Sequence, residues 1–271
     1  MAAMSEKVNI SAGQLFCLLF VFRLEALLTK PYPITKACLL SLLLELGLSL
    51  ALSVGADFIS KRKKPEESLF VRIIFGMYLI ALAAFRIYAY LRFSGEAVKT
   101  DVSPVIILVM LTGFSLYAAH LGIQALARFS FVAVIFIACA YLAAVALNAN
   151  NYTLSDISIT RGSFSFIADW LMCLNTPVVY ILLCHHTKGN SSRALYASTA
   201  VAYSAAFIVY GLCILSIGAA AGVYSYPVFR FVQIGYIGSF TKPDIIYYAT
   251  WLMALFLKLG TCFSLCRKEI K

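Results

Sequence analysis

Two charged residues stand in the first apolar stretch of the chain, at positions Arg23 and Glu25. An ionisable side chain at membrane depth costs several kcal/mol unless it is paired or hydrated, so each one is a functional candidate. Residues two apart point to different faces of an α-helix, and these two are therefore not expected to pair with each other. They either meet the charges of a ligand or pair with residues on other helices, such as Glu45, Arg86 or Lys258.

Other polar residues inside apolar stretches extend this candidate site. Arg86 and Tyr90 are four residues apart and share one helix face, and Lys258 lies well inside the last apolar stretch. A long basic side chain near a helix end can reach the headgroups, which explains Arg92 but not the more central Arg86. The pattern predicts that Arg86 lines a polar cavity.

A third candidate segment follows Asp169 and contains Asn175, Thr176 and Pro177. A proline within an apolar helix removes a backbone donor and frees a carbonyl oxygen. The segment is therefore a candidate for an interrupted helix at a ligand site. A purely structural kink is the alternative.

Small residues and histidines carry weaker signals. Gly218 and Gly222 form a GxxxG pattern, which favours close helix packing over a ligand role. His120, His185 and His186 are too few and too scattered to predict a metal site. The chain has no sequence signature of catalysis or of nucleotide binding, and we expect no enzyme activity, metal or cofactor.

The composition indicates that these residues lie in a membrane protein. Of the 271 residues, 62% are hydrophobic and only 13% are charged, whereas soluble proteins have about 45–50% and about 25%. The formal net charge is +10, but the basic residues stand mostly between apolar blocks. That arrangement argues against nucleic-acid binding and favours contact with anionic lipid of a bilayer.

The apolar blocks predict an all-α integral membrane protein, a multi-span helical bundle of about eight spans in a single transmembrane domain, 1–271. The expected spans are 11–28, 34–56, 69–93, 104–119, 129–147, 164–184, 195–223 and 245–265.

The distribution of lysine and arginine predicts the orientation. Eleven basic residues, among them the densest cluster, 61–64, fall on one side of the predicted bundle, and seven fall on the other. Because cytoplasmic loops carry an excess of such residues, we expect both termini in the cytoplasm.

Three segments resemble one membrane-protein family. Residues 117–128 are similar to its segment YAA-x-x-G-x-x-x-x-A-R. The opening residues 10–16 are similar to the start of that family. The YP pair at 226–227, followed by Trp251 and Lys258, is similar to its loop and eighth helix, and the three segments occur in the family's order. The chain thus resembles the membrane-embedded B subunit of endospore nutrient-germinant receptors, a branch of the amino acid–polyamine–organocation transporter superfamily.

This resemblance implies a five-plus-five inverted-repeat (LeuT-like) transporter fold, in which family members have ten spans. The chain ends about where the eighth span finishes, so a truncated version of that fold is expected. The family's glycine-marked break in the first span is also absent, since residues 22–27 read FRLEAL.

The resemblance also implies a ligand site at the interrupted helices near the midplane. The carboxylate of an amino acid is expected near Arg23 and its ammonium group near Glu25, with backbone groups around Leu24 between them. Asp169 with Asn175 is the second place expected to contact the ligand. Lys258 is expected to replace a bound cation, as amines do at sodium sites in related folds.

The expected function is that of a receptor subunit in the inner membrane of the endospore or in the bacterial cell membrane. The resemblance implies that it binds a small nutrient, an amino acid, and triggers germination through partner subunits of the A and C type. Two alternatives remain open at this point. One is an amino-acid or amine secondary transporter, and the other is a truncated scaffold that binds no ligand.

Overall fold

A computed structural model describes residues 10–62, 69–98, 103–152, 173–234 and 244–270. Nine α-helices occur in these ranges: α1 Ala12–Leu28, α2 Lys36–Arg62, α3 Leu69–Glu96, α4 Pro104–Leu121, α5 Ile123–Leu147, α6 Asn175–Leu183, α7 Ser191–Ile217, α8 Pro227–Ile234 and α9 Asp244–Ile270. Short 3-10 helices lie at Ala149–Asn151, Cys184–His186 and Gly218–Gly222. Asp169 lies outside the described residues.

Six of these helices, α2, α3, α4, α5, α7 and α9, are long and apolar enough to cross a membrane. The all-α membrane bundle expected from the sequence is confirmed at this level. The first predicted span corresponds to α1, whose 17 residues extend about 25 Å at about 1.5 Å per residue, slightly less than a hydrocarbon core of about 30 Å. The count of eight spans and the inverted repeat stay predictions.

Helix α1 occupies the centre of the bundle. It packs mainly against α7 and α5, and it also contacts α6 and α9. Its start is fixed by a capping box in which the Gln14 amide N–H donates to the Ser11 hydroxyl and the Ser11 amide N–H donates to the Gln14 side chain. Just before the helix, a two-residue strand, β1 Ile10–Ser11, pairs in parallel with β2, Thr187–Lys188.

The helix boundaries differ from the expected spans where backbone geometry interrupts the chain. The fifth helix begins at Ile123 and not at Phe129, because Gly122, with φ of +97°, makes the whole break between α4 and α5. A positive φ suits glycine, which has no Cβ. The α4–α5 connection is therefore one residue long.

The seventh span was expected to run to Val223, with Gly218 and Gly222 on one α-helical face. Instead α7 ends at Ile217, where Gly218 takes φ of +60° and the chain continues as a 3-10 helix. The two glycines thus lie beyond the α-helix, and an α-helical GxxxG face does not form there.

Close packing occurs at a glycine that the sequence pattern did not indicate. A Cβ added to Gly260 of α9 would stand 2.8 Å from a methyl carbon of Leu126 on α5. Ser115 of α4 also reaches α9, since its hydroxyl donates to the carbonyl oxygen of Phe256 over 3.4 Å. With these close contacts, α9 is much more buried than α4: 67% of the most apolar stretch of α9 is buried, against 17% for that of α4.

Candidate functional site

The charges of α1 meet different neighbours on two faces of the helix. Glu25 faces α3 and α9, where its carboxylate pairs with Lys258 and lies 3.4 Å from an Nη1 nitrogen of Arg86. Arg86 and Lys258 are 4% and 1% exposed and Glu25 is 6% exposed. We call these three residues the Glu25 cluster. The sequence left open whether Glu25 meets a ligand or pairs with residues on other helices, and these ion pairs are of the second kind.

One carboxylate in the Glu25 cluster serves two cations, so the cluster carries a formal charge of +1. Mutual attraction offsets the large cost of removing these ions from water only when the partners stay together. The Lys258 ammonium also lies 5.5 Å from the centre of the Phe22 ring, where a cation–π contact adds to the attraction. The Glu25 carboxylate consequently has two cationic partners within the protein itself.

A small cavity adjoins the Glu25 cluster between α1, α5 and α9. Its volume is about 20 Å³, enough for about one water molecule. Lining residues are Leu24, Glu25, Leu28, Thr29, Ile137, Tyr141, Tyr247, Thr250, Trp251 and Ala254. The Trp251 indole N–H is buried, and no hydrogen-bond acceptor for it is found in the described part of the chain. The cavity is mostly apolar with a few polar groups, and it is too small for an amino acid in this conformation.

Arg23 faces the opposite side of α1, toward α6 and α7. One of its Nη nitrogens donates to the carbonyl oxygen of Cys173 over 3.2 Å, and its guanidinium carbon lies 5.8 Å from the centre of the Tyr203 ring. We call Arg23, Cys173 and Tyr203 the Arg23 cluster. Arg23 is 2% exposed, its Nε has no hydrogen-bond partner, and no ion pair to it exists among the described residues.

The start of α6 lies beside the Arg23 cluster. Asn175 accepts a hydrogen bond of 2.6 Å from the Tyr78 hydroxyl, whereas the buried Thr176 hydroxyl has no partner within the described ranges. Pro177 is in the first turn of α6. A first-turn proline sacrifices no intrahelical hydrogen bond, because those N–H groups have no acceptor in the helix anyway. Pro177 therefore starts a short helix here.

Tyr90 belongs to an aromatic cluster and not to the ion pairs. Its ring stacks on Trp251 with 5.5 Å between ring centres, and its hydroxyl lies 2.9 Å from that of Tyr248. Phe93 packs against both Trp251 and Tyr226, which joins the cluster to the start of α8. Burial raises the pKa of Tyr226 to about 12, so its hydroxyl stays neutral at physiological pH.

Two further buried carboxylates were not identified as sites from the sequence. Glu45 pairs with Lys30 at 2.5 Å. Asp57 accepts hydrogen bonds from the Tyr180 hydroxyl at 2.9 Å and the Ser192 hydroxyl at 2.5 Å, which ties the end of α2 to α6 and α7. The only sequence signal for the second was Lys61, four residues after Asp57, which pairs with it at 2.7 Å. Both carboxylates are satisfied by protein groups.

Tyr78, Cys173 and Tyr203 were also missed, because tyrosine and cysteine inside apolar helices look like ordinary core residues. The structure thus brings Arg23 to the carbonyl oxygen of Cys173, two residues before α6, and it brings Glu25 to Arg86 and Lys258. Tyr90 joins neither group. No protein-family model matches the chain, and no curated protein matches it either.

Proposed function

We propose that this chain is a membrane-embedded receptor subunit that binds the carboxylate of a small nutrient, an amino acid, at Arg23. The observation that carries the proposal is the state of that side chain: a guanidinium that is 2% exposed and has no carboxylate partner among the described residues. The receptor assignment itself rests on the resemblance of the sequence to the B subunits of germinant receptors.

The physical argument concerns charge. A guanidinium buried without a counter-ion loses its hydration and gains little in return, which costs several kcal/mol. A carboxylate restores that loss best, because two parallel N–H···O bonds match the planar fork of arginine. The Nε of Arg23 has no acceptor among the described residues, so its N–H can donate to a ligand carboxylate, which would compete with the Cys173 carbonyl for the Nη nitrogen.

Glu25 is a poor partner for the ammonium group of the ligand. Its carboxylate already holds Lys258 and Arg86, and a third cation in this buried place would add repulsion. The neutral oxygen of Thr176 is a better acceptor, since it is buried, has no partner of its own among the described residues, and follows Cys173 by three positions. We therefore place the amino group near α6.

Ligand binding changes the receptor only if it favours one conformation of the bundle over another. Arg23 joins α1 to Cys173 just before α6, and the Asp57 hydrogen bonds join α6 to α2 and α7. A carboxylate that competes with the Cys173 carbonyl for Arg23 would loosen the first of these links. In this proposal the resulting shift passes to partner subunits of the A and C type in the spore membrane.

Equilibrium binding to the purified protein in lipid nanodiscs tests the proposal. Labelled standard L-amino acids are compared with the corresponding amides, which lack the carboxylate charge. We expect an amino acid to bind and its amide to bind about a hundredfold more weakly, as for the loss of a charge-assisted hydrogen bond of about 3 kcal/mol. Arg23→Gln should abolish that difference.

The matched control is Arg92→Gln, which removes an arginine from an exposed pair with Glu96 and should leave binding unchanged. Equal binding of acids and amides to the unaltered protein would contradict the proposal. So would the absence of binding by every amino acid in the set. A germination assay of the Arg23→Gln strain then tells whether binding has a sensory role.

Secondary transport is the alternative function, and the Glu25 cluster is the observation that favours it. Buried ionisable groups at membrane depth are typical of ion-coupled transporters. Uptake of labelled amino acid into proteoliposomes, driven by an ion gradient, distinguishes the two functions. Binding without uptake favours a sensor, and uptake that Glu25→Gln abolishes favours transport.

A further inference from the structure

A groove of about 470 Å³ opens on the side of the bundle between α4, α5 and α9. Its walls include Phe114 and Tyr117 of α4, Phe129 of α5, and Met253 and Phe256 of α9. Every lining residue is aliphatic or aromatic. Such a surface favours a hydrocarbon ligand and offers nothing to bind a zwitterion.

The groove faces outward from the bundle. Only 17% of the most apolar stretch of α4 and 22% of that of α5 are buried, and Phe114 and Tyr117 are 60% and 65% exposed. In a bilayer this surface must be covered by lipid or by another helix. Bulky aromatic walls favour lipid, because helix–helix contacts within membranes use small residues that let two backbones approach.

Basic residues stand where the groove ends. Leu121 lines the groove and is also the last residue of α4, so the groove extends to the α4–α5 turn. At this turn the Arg267 guanidinium donates to the carbonyl oxygen of His120 over 3.5 Å. Arg128 is exposed on α5 and directly precedes Phe129 of the groove wall.

The α4–α5 hairpin that carries Arg128, positions 104–152, contains neither aspartate nor glutamate. An apolar groove that ends at two arginines matches the two halves of an anionic phospholipid, an acyl chain and a phosphate. We propose that this groove is a binding site for an anionic phospholipid, with an acyl chain between α4, α5 and α9 and the phosphate at Arg128 and Arg267. The site is independent of the Arg23 proposal.

Native mass spectrometry of the purified full chain tests this site with two probes that share the same dioleoyl chains. Phosphatidylglycerol is the anionic probe and phosphatidylcholine is the zwitterionic one. Two arginines near a phosphate should make the chain retain the anionic probe about tenfold more strongly. The double variant R128Q and R267Q should remove that preference while leaving chain-dependent retention of both lipids.

The groove itself is tested by Ala125→Trp, which places a large ring inside it, with Ala138→Trp at an exposed position of the same helix as the control. We expect the first variant to lose retention of both probes and the second to behave like the unaltered chain. Arg230→Gln, exposed on α8, is the control for charge. Circular dichroism verifies that each variant keeps its helix content.

Three results would overturn the site. The first is equal retention of the two lipids by the unaltered chain, and the second is undiminished retention by Ala125→Trp. The third is a lipid-free dimer that Ala125→Trp dissociates, which would identify the groove as a contact between copies of this chain. Because the Arg128 and Arg267 side chains are exposed or near the surface, their variants are not expected to prevent folding.

Discussion

The buried charges on the two faces of α1 differ in their partners. On one face Glu25 has two cationic partners, and on the other Arg23 has a carbonyl oxygen and an aromatic ring but no anion among the described residues. Both side chains are almost fully buried. The first arrangement joins α1 to α3 and α9, and the second leaves a buried charge for which we propose a ligand carboxylate as the partner.

The difference predicts opposite effects on stability. Removing the single anion of a cluster leaves two cations that repel each other in a medium of low dielectric constant. Removing a cation that has no anion relieves the protein of a desolvated charge. Substitutions on the two faces should therefore change the free energy of unfolding with opposite signs, which a generic loss of packing would not do.

The largest effect is expected for Glu25→Gln. Breaking a buried ion pair by removing one partner typically costs about 3–5 kcal/mol, and here the removed residue serves both Arg86 and Lys258. The free energy of unfolding, measured by titration with sodium dodecyl sulfate in mixed micelles, should fall by that amount. A loss below about 1 kcal/mol would show that the cluster does not stabilise the bundle.

A smaller effect is expected for Lys258→Met. This variant leaves Glu25 with Arg86, a pair of balanced charge, so the loss should be about 1–2 kcal/mol. In the Glu25→Gln background the same substitution should raise stability, because it removes one of the two repelling cations. Additive losses in the double variant would contradict direct interaction between these residues.

The sign should reverse for Arg23→Met measured without ligand. The substitution removes a charge that no described anion compensates, at the expense of one hydrogen bond to Cys173. We expect a gain of about 1–2 kcal/mol in the same unfolding titration, since a central arginine costs about 2.5–3.5 kcal/mol and the lost charge-assisted hydrogen bond contributes about 1.5 kcal/mol. Destabilisation of 2 kcal/mol or more, on the order of a buried ion pair, would indicate an anionic partner for Arg23.

The helical membrane bundle was predictable because hydropathy acts over whole segments. Long apolar stretches dictate helices in a bilayer, where each backbone group must be hydrogen-bonded internally. The charged residues of the two clusters were also found from the sequence, since Arg23, Glu25, Arg86 and Lys258 stand out in apolar surroundings. Their rarity was the signal.

The pairing of those residues was not predictable. Spacing shows that Arg23 and Glu25 point apart, but it does not tell which helix lies on each side, since that depends on how α3, α6, α7 and α9 pack around α1. The break after Ile217 was missed for a related reason. A stretch of glycine and alanine satisfies a helix pattern equally well as an α-helix or as a 3-10 turn, and the positive φ of Gly218 decides between them.

The smallest effect is expected for Trp251→Phe, on the Glu25 side of α1. Trp251 lines the small cavity, and its indole N–H has no acceptor in the described residues, so removing the N–H sacrifices no hydrogen bond among them. The stacking on Tyr90 is retained by a phenyl ring. Stability should fall by about 1 kcal/mol, the loss expected from shortening a buried ring. A loss above about 2 kcal/mol would exceed this packing loss and would indicate that the N–H donates to a water molecule bound in the cavity, so that the Glu25 side of α1 is hydrated as well as ion-paired.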